Sequence, residues 1–416
     1  MKFRKVVLLV FCVGVAATAS SQTFSLETCV EHALANNLEL KKSEYSVHQS
    51  KLSQKQSWSS LMPSVAASGS MSNSGPFVSN AADEWDWSVG GSVSQQIYQP
   101  GLYTNISLAN ARTQTSELSD AALENQIRSS VEKLYYQILT SDTLVSVYKA
   151  NIQLSNEQIE KMRRMVDLGL KRESDLLKSE VQRGTFEAQL IREQENLASS
   201  RRGLNILMGR KPSEPLHIIP VPVEQIQVPD FVDGYQMMLD SNPSLQRLSK
   251  LVDIEKLSLR VSREAFLPSA SASYSYSQRK DLLGGDPVES DNVSLRMSID
   301  LFDGFNKSLN VQKSKVAVDN AKIDFEAAIR DYSQSLLDQY NALSTQNKLI
   351  DIHQTNLISA RKDLEVVSEQ YAAGLSTILD LMDAQVSVLQ SEINLLSDLY
   401  ARKRIESEIF RLIGSR

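Results

Sequence analysis

One pattern of residues occurs twice along this chain of 416 residues, at a constant offset of 205 positions. The segment LMPSVAASGSMS at 61–72 returns as FLPSASASYSYS at 266–277. The clearest single anchors are Asn37 with Asn242, Pro63 with Pro268, Gly169 with Gly374, Asp175 with Asp380 and Gly209 with Gly414. A duplicated sequence predicts a duplicated structure, so any fold proposed for one half must also hold for the other.

Each half is predicted to contain the same four segments in the same order. Only 11 prolines and 16 glycines occur in the chain, which favours long uninterrupted elements. The expected order is a helix broken near its start, a strand pair, a very long helix and a return helix. We therefore divide the chain into a first repeat, 22–209, with a hairpin at about 63–98, a connector, 210–230, and a second repeat, 231–416, with a hairpin at about 268–302.

The predicted hairpins alternate between apolar and polar residues, which is the pattern of strands with two different faces. The predicted strands are 64–73, 85–98, 269–277 and 291–301, closed by polar loops at 73–84 and 279–290. Each strand has about 10 residues, the length that a tilted transmembrane strand needs. Aromatic residues near the strand ends fit an interfacial girdle, namely Trp85, Trp87, Tyr98, Tyr274 and Tyr276.

Four strands cannot close a barrel, and open sheet edges do not occur in lipid. The smallest outer-membrane barrels have about eight strands. If these hairpins lie in a membrane the chain must therefore oligomerise, and three copies would supply twelve strands. A fragment of a soluble β-sandwich is the alternative that the hairpins alone leave open.

The long helices carry apolar residues at alternating spacings of three and four, which predicts supercoiled helix pairs. The pattern runs through 123–166 in the first half and 325–371 in the second. As a helix, 304–372 would be about 100 Å long, which no compact domain accommodates. For His353, which lies on the second seam, we expect a packed imidazole with a hydrogen-bond partner, and a ligand-binding role is the alternative.

The first 21 residues have the composition of a signal peptide. Three basic residues precede an apolar stretch from Val6 to Ala17, and small residues follow up to Ser21. About 12 apolar residues are too few to span roughly 30 Å of hydrocarbon, which argues against the alternative of a membrane anchor. Because the signal peptide contains Cys12, Cys29 would remain alone, and no intramolecular disulfide is expected.

Charge and motif content exclude several functions. The formal net charge of −6 argues against nucleic acid as a partner. The four histidines are scattered, and the sequence contains no P-loop, nucleophile elbow or HExxH motif. We therefore expect no enzyme activity, no cofactor and no metal site. Five of the eleven prolines fall in the connector 210–230, which predicts an extended segment outside the helical body.

The signal peptide, the duplicated helix–hairpin–helix unit, the Pro-Ser entry to each hairpin and the G-x-x-x-x-x-D-L sequence at each far turn together resemble the TolC family of outer-membrane efflux and secretion channels. The resemblance covers nearly the whole chain after the signal peptide. It implies a mainly α-helical homotrimer with a transmembrane β-hairpin pair in each copy. A twelve-stranded β-barrel would lie in the outer membrane of a Gram-negative bacterium, and a coiled-coil helical barrel would extend into the periplasm. The connector 210–230 would belong to an equatorial belt.

The same resemblance implies a passive exit duct in a tripartite system with a periplasmic adaptor protein and an inner-membrane pump, proton-driven or of the ABC type. The adaptor would dock at the helical tips around Gly169 and Gly374. Small-molecule efflux substrates are the expected cargo, and type I polypeptide secretion is the alternative. A periplasmic coiled-coil adaptor is the competing class of protein, although it would lack hairpins with an aromatic girdle.

The resemblance also assigns two aspartates to the periplasmic entrance, Asp380 and Asp383. Residues three apart lie on one helical face, so three copies would place six carboxylates around a narrow pore that favours cations. Mutual repulsion is expected to raise the pKa values of these carboxyl groups. The alternative is that aspartates at a helix N-terminus only complement the helix dipole.

A polar latch between the two tips is the remaining expectation from the resemblance. By position, Tyr371 would pair with Asp175, and Ser174 would lie beside them. Where relatives have a latch arginine, this chain has Ser376. The latch charge is therefore missing or has moved to a basic residue of the other tip, Lys171 or Arg172.

Overall fold

A computed structural model describes residues 23–72, 86–221, 226–280 and 286–414. The predicted signal peptide, 1–21, the loop 73–84 and Trp85 lie outside these residues. The elements in chain order are β1 (Thr23–Phe24), α1 (Leu26–Asn36), α2 (Leu38–Ser59), β2 (Ser64–Ser72), β3 (Asp86–Tyr98), α3 (Leu102–Asp167), α4 (Glu173–Leu207), β4 (His217–Ile218), α5 (Phe231–Ser241), α6 (Pro243–Glu264), β5 (Ser269–Lys280), β6 (Val288–Ser298), α7 (Asn306–Ala372) and α8 (Ile378–Ile413).

An asparagine produces the break in the first helix of each repeat. Asn37 has an extended backbone, and its side-chain oxygen accepts hydrogen bonds from the N–H groups of Glu39 and Leu40, which caps α2. Its amide nitrogen donates to the carbonyl oxygen of Leu207, at the end of α4 (3.0 Å). Asn242 makes the corresponding contacts at the start of α6 and at the end of α8. One residue type thus both starts a helix and ties it to the return helix.

The four long strands form one antiparallel sheet in the order β2-β3-β5-β6. A row of apolar residues crosses the whole sheet, because Val65 pairs with Val93, Val93 with Tyr274, and Tyr274 with Val293. Serines occupy the next row on the opposite face, and two pairs of them are hydrogen-bonded, Ser64 with Ser94 and Ser273 with Ser294. The sheet therefore has one apolar face and one polar face, as the alternation predicts.

The predicted bounds of the second hairpin are wrong at both ends of its loop. Strand β5 continues to Lys280, and β6 spans Val288–Ser298, not 291–301. Register explains the shift, because Ser298 pairs with Ser269, the first residue of β5 after Pro268. Beyond Ser298 the strand has no partner backbone with which to pair.

The helices continue the sheet in two successive layers. Next to the sheet, neighbouring contacts give the order α2, α3, α6, α7, which we call the near layer. Further from the sheet, the contacts give the order α4, α3, α8, α7, which we call the far layer. The very long helices α3 and α7 belong to both layers. None of the described helices contains a stretch apolar enough to cross a membrane.

A tyrosine near the middle of each long helix holds the connector against the helices. The hydroxyl of Tyr135 in α3 donates to the carbonyl oxygen of Ile219, and the hydroxyl of Tyr340 in α7 donates to that of Pro229 (2.8 Å). These two tyrosines are 205 residues apart. Strand β4 in the connector also pairs with β1. Cys29 packs beside Tyr135, and burial raises the pKa of its thiol to about 12.

The predicted seams are helix-packing surfaces. On α7, Leu336, Ile350 and Leu357 are buried, and α7 packs along α8. His353 on the same seam is hydrogen-bonded through Nδ1 to the carboxylate of Asp398 on α8. The imidazole is thus packed and has a partner, as predicted.

Charged side chains are buried or half-buried where α3 meets α8, which we call the α3–α8 joint. Glu408 of α8 accepts hydrogen bonds from Lys133 of α3 (2.7 Å) and from Arg411 (2.6 Å). Lys403 and Glu406, also on α8, form a second ion pair, and both residues are almost completely buried. The two repeats therefore meet through paired charges as well as apolar contacts.

Candidate functional site

In each repeat the long helix turns into the return helix, and we call this turn with the helix ends beside it the tip. The turns need a left-handed residue, and glycine supplies it at Gly169 (φ +72°) and Gly374 (φ +76°). In the first tip the N–H of Leu170 donates to the carbonyl of Met165 (2.8 Å), and in the second the N–H of Leu375 makes the same kind of bond. The two tips are therefore copies of one helix–turn–helix.

Exposed leucines surround these glycines. Leu168, Leu170 and Leu375 are 73%, 69% and 81% exposed. Large apolar side chains at the end of a helical hairpin form an apolar surface that suits a protein partner. The sequence prediction named only the two glycines, although the Leu residues next to each glycine were a signal for this surface.

The two tips of one chain pack against each other. Met162 of α3 forms a buried apolar cluster with Ile378 and Leu381 of α8. The ammonium group of Lys171, on the first tip, lies 4.1 Å from the ring centre of Tyr371, at the end of α7. This distance is within the range of a cation–π contact. This contact, between one side chain of each repeat, therefore joins the two tips.

Tyr371 makes its hydrogen bond to α3, and Asp175, its expected latch partner, lies near enough to act on it through its charge. The hydroxyl of Tyr371 donates to the sulfur of Met162 (3.7 Å). Burial, and then the negative charge of nearby Asp175, raise the pKa of Tyr371. Ser174, which precedes Asp175 in the sequence, is exposed. Ser376, where the resemblance implied a latch arginine, donates to the carbonyl of Val367.

Asp380 caps the last helix. Its carboxylate accepts hydrogen bonds from the N–H and the hydroxyl of Thr377, both 2.7 Å, and the Thr377 hydroxyl accepts a bond from the N–H of Asp380. This capping box lowers the pKa of Asp380, chiefly through the side-chain hydrogen bond. Within one chain the cap thus stabilises the ionised carboxylate, and the rise in pKa expected from repulsion among three copies stays a prediction.

Asp383 lies one turn further along α8 and is exposed on the same face as Asp380. The tip thus presents two carboxylates, one bound into a cap and one free of it. No group of three or more His, Cys, Asp or Glu side chains in the described parts of the chain is placed to hold a metal ion.

These features together define a class of protein. A sheet with one apolar and one serine-lined face is continued by two layers of long helices, which end at tips with exposed leucines and carboxylates. This is the architecture of an outer-membrane channel protein. The family described as Outer membrane efflux protein matches residues 29–210 and 234–415, and the chain belongs to this family.

Related sequences occur among proteins named for the outer membrane, for cation efflux and for protease secretion. The chain is 19% identical over 324 residues to Outer membrane protein TolC of Vibrio cholerae, covering 75% of this chain and 73% of that protein. It is 21% identical over 398 residues to Cation efflux system protein CusC of Escherichia coli K12, covering 94% and 86%. It is 23% identical over 289 residues to Alkaline protease secretion protein AprF of Pseudomonas aeruginosa, covering 66% and 60%.

A solved structure has the same fold. The crystal structure of CusC matches with a TM-score of 0.85 at 18% identity, and the match covers 94% of this chain and 92% of that one. The duplicated, mainly helical architecture with one hairpin in each repeat is therefore shown by sequence and by structure. The chain is a protein of the outer membrane of a Gram-negative bacterium, and its helices extend into the periplasm.

Proposed function

We propose that this chain is one third of a homotrimeric exit duct that carries small-molecule efflux substrates across the periplasm and the outer membrane. The observation that carries the proposal is that the sheet and both helical layers are open at their two edges. In the described residues, the first and last members of the sheet and of each layer have a neighbour on one side only, and further copies would supply the other. Three copies would give twelve strands and twelve helices in each layer, and the apolar face would contact lipid.

Two kinds of partner follow from this architecture. The exposed leucines around Gly169 and Gly374 suit an adaptor protein that docks on the helical tips. The chain has no nucleotide-binding motif, so the energy for transport would come from an inner-membrane pump. The connector 210–230 would form an equatorial belt around the helices.

Small molecules are the cargo that the relatives favour. The relative matched over 94% of this chain is named a cation efflux system protein. Polypeptide secretion is the second candidate, since another relative is named an alkaline protease secretion protein. It ranks second because that match covers a shorter stretch of this chain. The pump and adaptor that this duct engages would decide between the two cargoes.

Capture of the adaptor tests this function. Cysteines replacing Leu170 and Leu375 would be crosslinked in cells, with Ile191→Cys, equally exposed on α4, as the matched control. The adaptor of a proton-driven pump should be captured from the tips and not from position 191. Capture of the adaptor of an ATP-driven exporter would instead favour polypeptide secretion, and capture of soluble proteins alone would contradict the duct.

Asp383 provides a test of the entrance ring. Asp383→Asn removes three of the six proposed carboxylates without touching the cap made by Asp380. In planar bilayers we expect the concentration of divalent cation needed for half-block to rise about tenfold, equivalent to about 1.4 kcal/mol of binding. Asp351 is exposed on α7, about six turns before the tip. Asp351→Asn should leave the block unchanged. Equal effects of the two variants would contradict the ring.

Tyr371 provides a test of the latch. We propose that the contact between Lys171 and the Tyr371 ring helps to hold the entrance closed. Tyr371→Leu should raise the ratio of open to closed channel roughly fivefold, or about 1 kcal/mol. Tyr371→Phe keeps the ring and should behave like the parent protein. If Tyr371→Phe opened the channel as much as Tyr371→Leu, the hydroxyl and Asp175 would be the latch instead.

A further inference from the structure

The internal repeat indicates which helices of a second copy would contact this chain. Within one chain, α3 contacts α6 in the near layer and α8 in the far layer. Subtracting or adding 205 converts α3 into α7, α6 into α2, and α8 into α4. However, α7 is the last helix of both layers, whereas α2 and α4 are the first. The contacts of α7 that correspond to those of α3 must therefore form between two chains, with α7 of one chain against α2 and α4 of the next.

The near layer supplies the first pair of residues. An apolar cluster joins α3 to α6 and includes Ala111 and Leu257. The positions 205 residues away are Val316 on α7 and Leu52 on α2. Both are large apolar side chains that the single chain leaves half-exposed or more, since Val316 is 60% and Leu52 is 51% exposed. The repeat thus leads from a buried apolar contact to two exposed apolar residues.

The far layer supplies a second pair with a different chemistry. Glu132 of α3 and Arg411 of α8 line one small cleft at the α3–α8 joint. Their counterparts are Leu337 on α7 and Ile206 on α4, which are 45% and 58% exposed. Two charged residues inside the chain thus correspond to two exposed apolar residues at its edges. Exposed apolar residues at both ends of the same contact indicate a surface that another protein covers.

We propose that a second copy of this chain covers these edges, with Leu52 against Val316 and Ile206 against Leu337 across each boundary between copies. The contact between copies is then apolar at the positions that correspond to charged residues in the α3–α8 joint within a copy. This inference rests on the proposed homotrimer and specifies which helices and which residues meet in it. The contact is repeated around the ring, because every copy offers α2 and α4 on one side and α7 on the other.

Disulfide crosslinking tests the register of this joint. In the Leu52→Cys/Val316→Cys protein, each copy carries one cysteine at each edge, and mild oxidation should link three copies into a closed ring. The main band on a denaturing gel should shift from monomer to trimer. Ile206→Cys/Leu337→Cys should give the same shift in the far layer. A disulfide forms only when the two Cα atoms lie within about 7 Å.

Two matched variants make the result specific. Ala111→Cys/Leu257→Cys is the same pair one repeat away, and it should link within one chain and leave the band at the monomer. Leu52→Cys/Ile323→Cys moves one cysteine about 10 Å along α7, to another exposed position, and should not link. If this pair linked as well as Leu52→Cys/Val316→Cys, the proposed register would be wrong.

Mass measurement of the unoxidised protein in mild detergent separates the two levels of the proposal. A trimer in which neither designed pair links would overturn the joint and leave the homotrimer standing. A protein that is monomeric in detergent and links only within single chains would overturn both.

Discussion

Replacing Glu408 with glutamine is expected to lower the free energy of unfolding by about 3 kcal/mol. The carboxylate of Glu408 neutralises Lys133 and Arg411 at the α3–α8 joint, and its side chain is only 18% exposed. Glutamine would keep the size of the side chain but leave two partly buried cations without their counter-charge. Denaturant unfolding of the solubilised protein, followed by helical circular dichroism at fixed protein concentration, measures the change.

The same ion pairs make this stabilisation depend on pH. Burial raises the pKa of Glu408, but the hydrogen bonds and charges of Arg411 and Lys133 outweigh burial and lower it to about 2. A carboxyl group whose pKa is lower in the folded state stabilises the fold at every pH above its unfolded pKa of about 4.5. The stability difference between the parent and Glu408→Gln should therefore be constant above about pH 5 and disappear as the pH falls towards 2.

An exposed ion pair provides the control for this prediction. Glu392 pairs with Arg361 on the surface, where the two side chains are 31% and 61% exposed. Glu392→Gln should cost less than about 0.5 kcal/mol. A double-mutant cycle of Glu408→Gln with Lys133→Met isolates the pair between the two repeats. A cost for Glu408→Gln no larger than for Glu392→Gln would show that the joint does not depend on these charges.

Alanine at Gly414 is expected to be at least as destabilising, by about 3 kcal/mol. Gly414 ends α8 with φ +70°, and an added Cβ would lie 2.5 Å from the carbonyl oxygen of Ser241. Gly209 ends α4 in the same way, and its Cβ would lie 2.5 Å from the carbonyl oxygen of Asn36. Each alanine would push the return helix away from the asparagine that holds it. Both variants should lower the denaturant midpoint and the yield of folded protein.

Alanine at Gly374 separates the destabilisation due to backbone strain from that due to the close approach of the added Cβ. Gly374 has a similar left-handed backbone, with φ +76°, but no atom lies within 4 Å of an added Cβ. Gly374→Ala should therefore cost only the backbone strain, about 1 kcal/mol. If Gly374→Ala and Gly414→Ala were equally destabilising, backbone strain alone would explain both, and the close approach would contribute nothing.

The sequence predicted most of the local structure of this protein. The two helix breaks, the glycine turns and the two faces of the hairpins were read from residues that act within a few positions of themselves. The strand bounds in the second hairpin were wrong because the pairing of Ser298 with Ser269 fixes the end of β6. Neither strand carries a local signal for that register, since the serine alternation of β5 stops at Ser277 while its pairing with β6 continues to Arg279.

The tips were predicted less completely. The glycines and the two aspartates could be named from their positions, and their roles in docking and in the entrance remain predictions. The contact between Lys171 and Tyr371 joins residues from different repeats, so spacing along the chain could not pair them. The hydrogen bonds from Thr377 lower the pKa of Asp380 within one chain, whereas the repulsion expected to raise it would act between copies.

By itself the sequence determined the duplication, the periodicity of the helices and strands, and the turns between them, because these depend on short-range backbone preferences and on regular spacing. The tertiary structure alone decided which helices lie side by side and which charges meet between them. Lys133 and Glu408 are 275 residues apart. A pair at that separation forms only after α3 and α8 have packed, since the balance between burial and charge that favours it exists only in the folded joint.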